Sequence, residues 1–234
     1  MRIVNLNFAY GDNKIFEDFN LDMPTGGVTC IMGGSGAGKT TLLNCISRQL
    51  QYDGNIVYDK EESTFAYVFQ QPRLIPSMTV EDNIKFVLPN TVAKEQVGQR
   101  VNDIIDKLQI NDCRKSYPKN ISGGQAGRVA LARALVTDCD VLLMDEPFKG
   151  LDVKLKKDLI NLLIPLVKNK SVVFVTHDVE EALAIADKVY VFERNADESV
   201  TVKGQIDITE NQADRDIYGE KLNQVRKEIY KLLS

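Results

Sequence analysis

A five-residue apolar run, VTCIM at residues 28–32, opens directly into GGSGAGKTT at residues 33–41. A run without polar alternation reads as a strand buried on both faces, the kind found in parallel sheets covered by helices. Gly33, Gly34, Ser35, Gly36, Ala37, Gly38, Lys39 and Thr40 satisfy the spacing G-x-x-x-x-G-K-[ST], with Thr41 next. A helix is expected from about 39 to 49. The glycines let the backbone turn tightly with its N–H groups inward, and the helix N-terminus adds positive potential. Strand, loop and helix in this order predict a triphosphate cradle, with Lys39 on the β- and γ-phosphates and the Thr40 hydroxyl on Mg²⁺.

A second apolar strand, VLLM, ends in Asp145 and Glu146. Ligands of open α/β sheets bind at the carboxyl ends of strands. Asp145 is therefore the expected magnesium carboxylate, acting through coordinated water. Glu146, on the other side of the backbone, is the expected general base for an attacking water. An acidic turn after a strand is common by itself; the upstream phosphate loop decides the reading. The sole histidine, His177, follows the apolar strand SVVFVT. Its place at a neighbouring strand end brings it toward the γ-phosphate as donor and water orienter.

The rest of the chain fits this scheme. Residues 2–24 alternate apolar and polar positions across a Gly-Asp-Asn turn, predicting an antiparallel strand pair. Short strands are expected near Asn55, near Phe65, and at 171–176 and 188–192, with a hairpin near 199–206 and a terminal helix from about Gln212. Between Pro72 and about Leu135 the pattern is helical. Leu155, Leu159, Leu162, Leu163 and Leu166 read as a core-facing stripe on a helix that Pro165 kinks. The expectation is one α/β domain, residues 1–234, with a nucleotide-binding core at 1–71 and 136–234 and a helical subdomain at 72–135.

A net charge of −4 argues against a generic nucleic-acid partner. No apolar run reaches the roughly 18–20 residues a bilayer requires, and the first residues lack a signal-peptide core. Location in the cytoplasm, unless a partner recruits the chain to a membrane, is expected. Cys30, Cys45, Cys113 and Cys139 are scattered without a CxxC pair, which predicts reduced thiols rather than a zinc or disulfide frame.

Ser122 is a natural N-cap, and Gly123 and Gly124 present backbone N–H groups at the start of a helix, a second anion site. With the phosphate loop, LLMDEP and His177, the segment SGGQ resembles the ATP-binding-cassette ATPase family over nearly the whole chain. That resemblance implies a P-loop ATPase fold with an antiparallel β subdomain and an inserted helical subdomain. It implies Tyr10 stacked on adenine, although a locally packed strand aromatic also fits, and Gln70 on Mg²⁺ and the attacking water. Ser122, Gly123, Gly124 and Gln125 would clamp the γ-phosphate bound to a second copy, and Asp152 would communicate across that dimer. The implied assembly is an ATP-sandwich homodimer on integral membrane permease subunits at the inner face of the cell membrane, served by an extracytoplasmic solute-binding protein.

YVFQQPRLIPSMTVEDNI and VTHDVEEALAIADKVYVF look most like the nitrate, sulfonate and taurine importers. Arg73, Leu74 and Ile75 stand where such ATPases receive a permease helix, or equally where a packed hinge joins the lobes. Two departures stand out: Lys149, where the family usually has a small residue, and Ala126-Gly127, where a longer polar pair is usual. A soluble ATPase of the same fold, serving iron–sulfur assembly for example, is the nearest rival.

Overall fold

The computed structural model describes residues 1–89, 92–168, 170–196, 198–212 and 215–234. Among the described residues, nine strands form two sheets. β1 (Arg2–Tyr10) pairs antiparallel with β2 (Asn13–Asp22) and with β4 (Asp53–Val57), giving a three-stranded sheet in the order β2-β1-β4. β3 (Gly27–Gly33), β5 (Phe65–Val68), β6 (Val141–Asp145), β7 (Ser171–Val175), β8 (Lys188–Arg194) and β9 (Val200–Asp207) form the larger sheet. Its order is β5-β6-β7-β3-β8-β9, parallel throughout except for the final β8–β9 pair.

The apolar runs are apolar because both faces of this sheet are covered. Cys30, Leu142, Phe174 and Val189 face one core, packed by helices. Their neighbours Ile31, Leu143, Val173 and Tyr190 face a second core. That second core is closed by α1 (Lys39–Ile46) and the small sheet, through Leu42, Leu43 and Phe16. Burying residues of both parities is what removes the alternation from these strands.

α2 (Val80–Lys85), α3 (Lys94–Lys107) and α4 (Gly123–Leu135) lie between β5 and β6 in sequence, and α2 and α3 pack on α4. Two internal devices hold this region. Asn83, fully buried, accepts from the Ile75 N–H and donates to the carbonyls of Ile75, Met78 and Thr79, pinning the loop before α2. Glu81, buried, pairs with Arg114, Lys115 and Lys85. α5 (Val153–Val167), α6 (Val179–Ile185) and α7 (Glu220–Leu233) complete the fold.

Several expected boundaries shift. α1 stops at Ile46, because Arg48 takes a left-handed conformation (φ 60°) and the following amides fold back on Asn44. α5 runs through Pro165 and ends two residues later, so the missing N–H falls in its last turn. Of the expected stripe, Leu159 and Leu163 are buried and Leu162 and Leu166 pack beside them, but Leu155 is 37% exposed. The C-terminal hairpin pairs β8 with β9, the Asn195 N–H donating to the Ser199 carbonyl, rather than folding within 199–206. The terminal helix starts at Glu220, not near Gln212: Gln212 donates to the Ile185 carbonyl, and the buried Arg215 donates to the Leu183 and Glu210 carbonyls. All four cysteines are buried free thiols.

Candidate active site

The loop from β3 to α1 places Gly33 and Gly38 where no other residue fits. Gly33 has φ 146°, and a Cβ there would stand 2.4 Å from the backbone oxygen of Phe192. Gly38 (φ 69°) would press a Cβ on Ile15 and Phe16 at 3.0 and 3.1 Å. At these two positions the loop turns against β8 and β2 with no room for a side chain. Gly38 is also the N-cap of α1, and no side chain accepts from the helix's first N–H groups. Those donors face the loop with the positive end of the helix behind them. Lys39 folds over the same loop, donating to the carbonyls of Gly33 and Gly34 at 2.8 and 2.7 Å.

β6 delivers the two carboxylates at the same sheet edge. Asp145 is 7% exposed and bonded to the Thr40 hydroxyl. Burial pushes its carboxyl above the ordinary range, with that hydrogen bond opposing the rise and the Glu146 charge adding to it. At Glu146 the backbone breaks away from the strand with φ 44°, uncommon for a residue with a side chain, and its N–H donates to Val175 O at 3.0 Å. The turn brings Glu146 Oε1 to 3.4 Å from His177 Nδ1 and Oε2 to 2.6 Å from Lys149 Nζ. Burial raises the Glu146 carboxyl, but Lys149 and His177 together outweigh it and hold the group below its usual range. Burial lowers the Lys39 ammonium, against the pull of Glu146 and Asp145.

Lys39, Thr40, Glu146, Lys149 and His177 line one open cleft of roughly 530 Å³, with Gly34 and Asp145 outside its lining; that size is within the range of small-molecule and cofactor sites. Its floor is Gly33, Ser35, Gly36, Ala37, Gly38, Lys39, Thr40 and Thr41, and its walls include Glu146, Lys149 and His177. Tyr10, half exposed and edge-on to Phe8 at 4.8 Å, stands at the rim. Asn13, Ile15, Val175 and Arg194 also line the cleft and were not foreseen. Arg194 donates to Asn13 Oδ1 at 2.5 Å and to the Glu198 carbonyl at 2.7 Å, tying the β1–β2 hairpin to the end of β8. Nothing in its local sequence announces this, since its place depends on β8 pairing with β3.

Other expected site residues lie outside the cleft lining. Gln70 leaves β5 two residues after Val68, which pairs with Met144, so it emerges one strand away from Asp145. Ser122 caps α4 in a reciprocal box: its hydroxyl accepts from Gln125 N–H at 3.2 Å, and Gln125 Oε1 accepts from Ser122 N–H at 2.9 Å. Gln125 also donates to Asp112 at 3.0 Å. Gly124 abuts Leu155, where a Cβ would meet the side chain at 3.3 Å. Asp152 caps α5 through the Leu155 N–H at 2.9 Å. Ser122, Gly123, Gly124, Gln125 and Asp152 are all absent from the cleft lining.

The donor set fits magnesium. A hydroxyl (Thr40) beside a buried carboxylate (Asp145), with an amide (Gln70) two residues beyond the end of the adjoining strand, offers hard oxygen ligands. Few protein ligands completed by phosphate oxygens and water are the usual magnesium arrangement.

A family model described as ABC transporter matches residues 16–149. The sulfate/thiosulfate import ATP-binding protein CysA of Neisseria meningitidis serogroup B is 40% identical over 205 residues, 81% of this chain and 57% of that protein. CysA of Pseudomonas aeruginosa is 36% identical over 222 residues, 88% of this chain and 68% of that protein. The Fe(3+) ions import ATP-binding protein FbpC of Fusobacterium nucleatum is 39% identical, covering 82% of this chain and 55% of that protein. The chain therefore spans little more than half of the length of two of these relatives. Their names point to sulfate, thiosulfate and iron(III) rather than to the nitrate, sulfonate and taurine group. A dimeric ATP-binding cassette solved in a post-hydrolysis state with ADP and phosphate superposes with a TM-score of 0.73 at 27% identity, over 90% of this chain and 99% of that one.

Proposed function

The chain belongs to the ABC transporter family, and we propose that it is the ATP-binding and hydrolysing subunit of an importer. The observation that carries this reading is the convergence of Lys39, Glu146 and His177 on one cleft floored by the phosphate loop. In the proposed reaction the triphosphate lies on residues 33–41, with Lys39 on its β- and γ-phosphates and Tyr10 against the adenine. Thr40, Asp145 and Gln70 would hold magnesium, which would supply neutralisation of the phosphate charge when bound. Glu146 takes a proton from water as the water oxygen bonds to the γ-phosphorus and the bond to ADP breaks. His177 donates to the γ-phosphate and orients the water.

Ser122, Gly123, Gly124, Gln125 and Asp152 lie outside their own cleft, which supports a role on a nucleotide bound to a second copy. Two copies related by a twofold axis would then each complete the other's site. We assign residues 1–71 and 136–234 to the nucleotide-binding core and residues 72–135 to a helical subdomain. That subdomain meets integral membrane permease subunits at the inner face of the membrane, and an extracytoplasmic binding protein delivers the solute to them. Among the described residues no helix is long and apolar enough to cross a membrane, so attachment goes through those partners. The solute we propose is a small anion. The sulfate/thiosulfate relatives support that class, and a nitrate- or sulfonate-type solute belongs within it.

Glu146→Gln tests the reading. Turnover should fall by about 10²–10⁴-fold, the usual contribution of a general base, while MgATP converts the monomer to a dimer on size exclusion. A variant that stays monomeric at micromolar concentration would count against the whole scheme.

A further inference from the structure

Lys149 is the cation nearest the proposed base, and the turn that carries it is fixed on both sides. Phe148, fully buried, anchors the residue before it, and Gly150 in the left-handed region (φ 78°) follows it. The Lys149 N–H donates to the Glu146 carbonyl at 3.1 Å, closing the turn. The backbone thus holds the Lys149 side chain beside Glu146, and its ammonium sits 2.6 Å from Oε2. The other oxygen, Oε1, faces His177 at 3.4 Å. Glu146 is 18% exposed, so an entering water has little of the carboxylate left to meet. Lys149 is about half exposed, so its release into solvent is sterically open.

We propose that Lys149 is a positioning residue that acts as a catch on Glu146. With the ammonium on Oε2 the carboxylate is held away from an attacking water, and hydrolysis requires that contact to open. This inference rests on the hydrolase reading above and adds a restraint on basal turnover.

The test is single-turnover cleavage of γ-labelled MgATP by the full chain in excess, with rate and half-saturating concentration measured separately. Lys149→Ala and Lys149→Ser should raise the saturating rate by about 2- to 5-fold, the size of a half-exposed ion pair. The half-saturating ATP concentration should stay within about twofold. Lys149→Arg, which restores a cation, should track the wild type. In a Glu146→Gln background, where the amide forms no ion pair, adding Lys149→Ala should change nothing. A slower rate with weaker ATP binding in Lys149→Ala would overturn the catch and make Lys149 a phosphate contact. Equal rates in wild type and Lys149→Ala, acceleration by Lys149→Arg, or an undiminished effect in the Glu146→Gln background would overturn it as well. Cleavage by wild type with no response at Lys149 removes the catch alone. No cleavage by any variant removes the hydrolase reading with it.

Discussion

Lys156 on α5 lies 2.7 Å from the carboxylate of Glu181 on α6. The same ammonium also pairs with Asp178, the residue after His177. Glu181 is 4% exposed and accepts the Thr176 hydroxyl, while Asp178 caps α6 through the Glu180 N–H. The short segment that carries His177 is therefore held from α5 on one side and α6 on the other. Burial pushes the Glu181 carboxyl upward, and Lys156 is the main group opposing that rise. Lys156→Met should cost about 2–4 kcal/mol, because a buried carboxylate is left without its cation. Urea unfolding checks this, and an unchanged midpoint would refute the bracing role.

The helical region should be acid-sensitive through Glu81. Hydrogen bonding to Arg114, with Lys115 and Lys85 adding to it, outweighs burial and holds the Glu81 carboxyl far below the usual range. A folded-state value below the unfolded one, about 4.3 for glutamate, means the stabilisation is fully present above that pH. It is lost as pH falls toward the folded value. Unfolding midpoints should therefore decline between about pH 5 and pH 3, and Glu81→Gln should be less stable at neutral pH with a flatter profile. A parallel decline in both proteins would place the sensitivity elsewhere.

Two adjacent glycines should respond oppositely to alanine. At Gly33 a Cβ meets the Phe192 carbonyl oxygen at 2.4 Å, and φ is 146°. At Gly34 a Cβ meets nothing within 4 Å, and φ is not positive. Gly33→Ala should lose about 2 kcal/mol or more and misplace the phosphate loop. Gly34→Ala should stay within about 0.5 kcal/mol of wild type. Thermal melts read the difference, and equal stability of the two would contradict the packing of the loop on β8.

What the sequence made legible was whatever rests on a local rule. The phosphate loop, the Asp145–Glu146 strand end and the His177 strand end each carry their placement in a few neighbouring residues, and the structure gathers Lys39, Glu146 and His177 in one cleft. Arg194 and Asn13 were invisible, because only the pairing of β8 with β3 and the docking of the first hairpin bring them there. Periodicity misread Leu155: the first turn of α5 projects toward Gly124 instead of the core. It also misread Gln212 and Arg215, whose side chains bond to α6 carbonyls and to Asp187 rather than continuing a helix. The Lys149 contact with Glu146 needed the left-handed turn at Glu146, which no pattern in DEPFKG specifies.

Ser122 offers a substitution that separates capping from phosphate recognition. Its hydroxyl accepts the Gln125 N–H, so Ser122→Ala removes half of the capping box and should cost about 1 kcal/mol with or without nucleotide. Aspartate caps helices as well as serine does. Ser122→Asp should therefore keep α4 intact, and its melting temperature should stay near that of wild type. In the proposed dimer, however, residue 122 faces the triphosphate held by the other copy, and a carboxylate there repels it at short range. Combined with Glu146→Gln, Ser122→Asp should melt normally yet fail to dimerise with MgATP on size exclusion. Ser122→Ala in the same background should melt earlier and retain part of its dimer. A Ser122→Asp chain that dimerises normally would mean that this helix start does not meet a nucleotide across the interface.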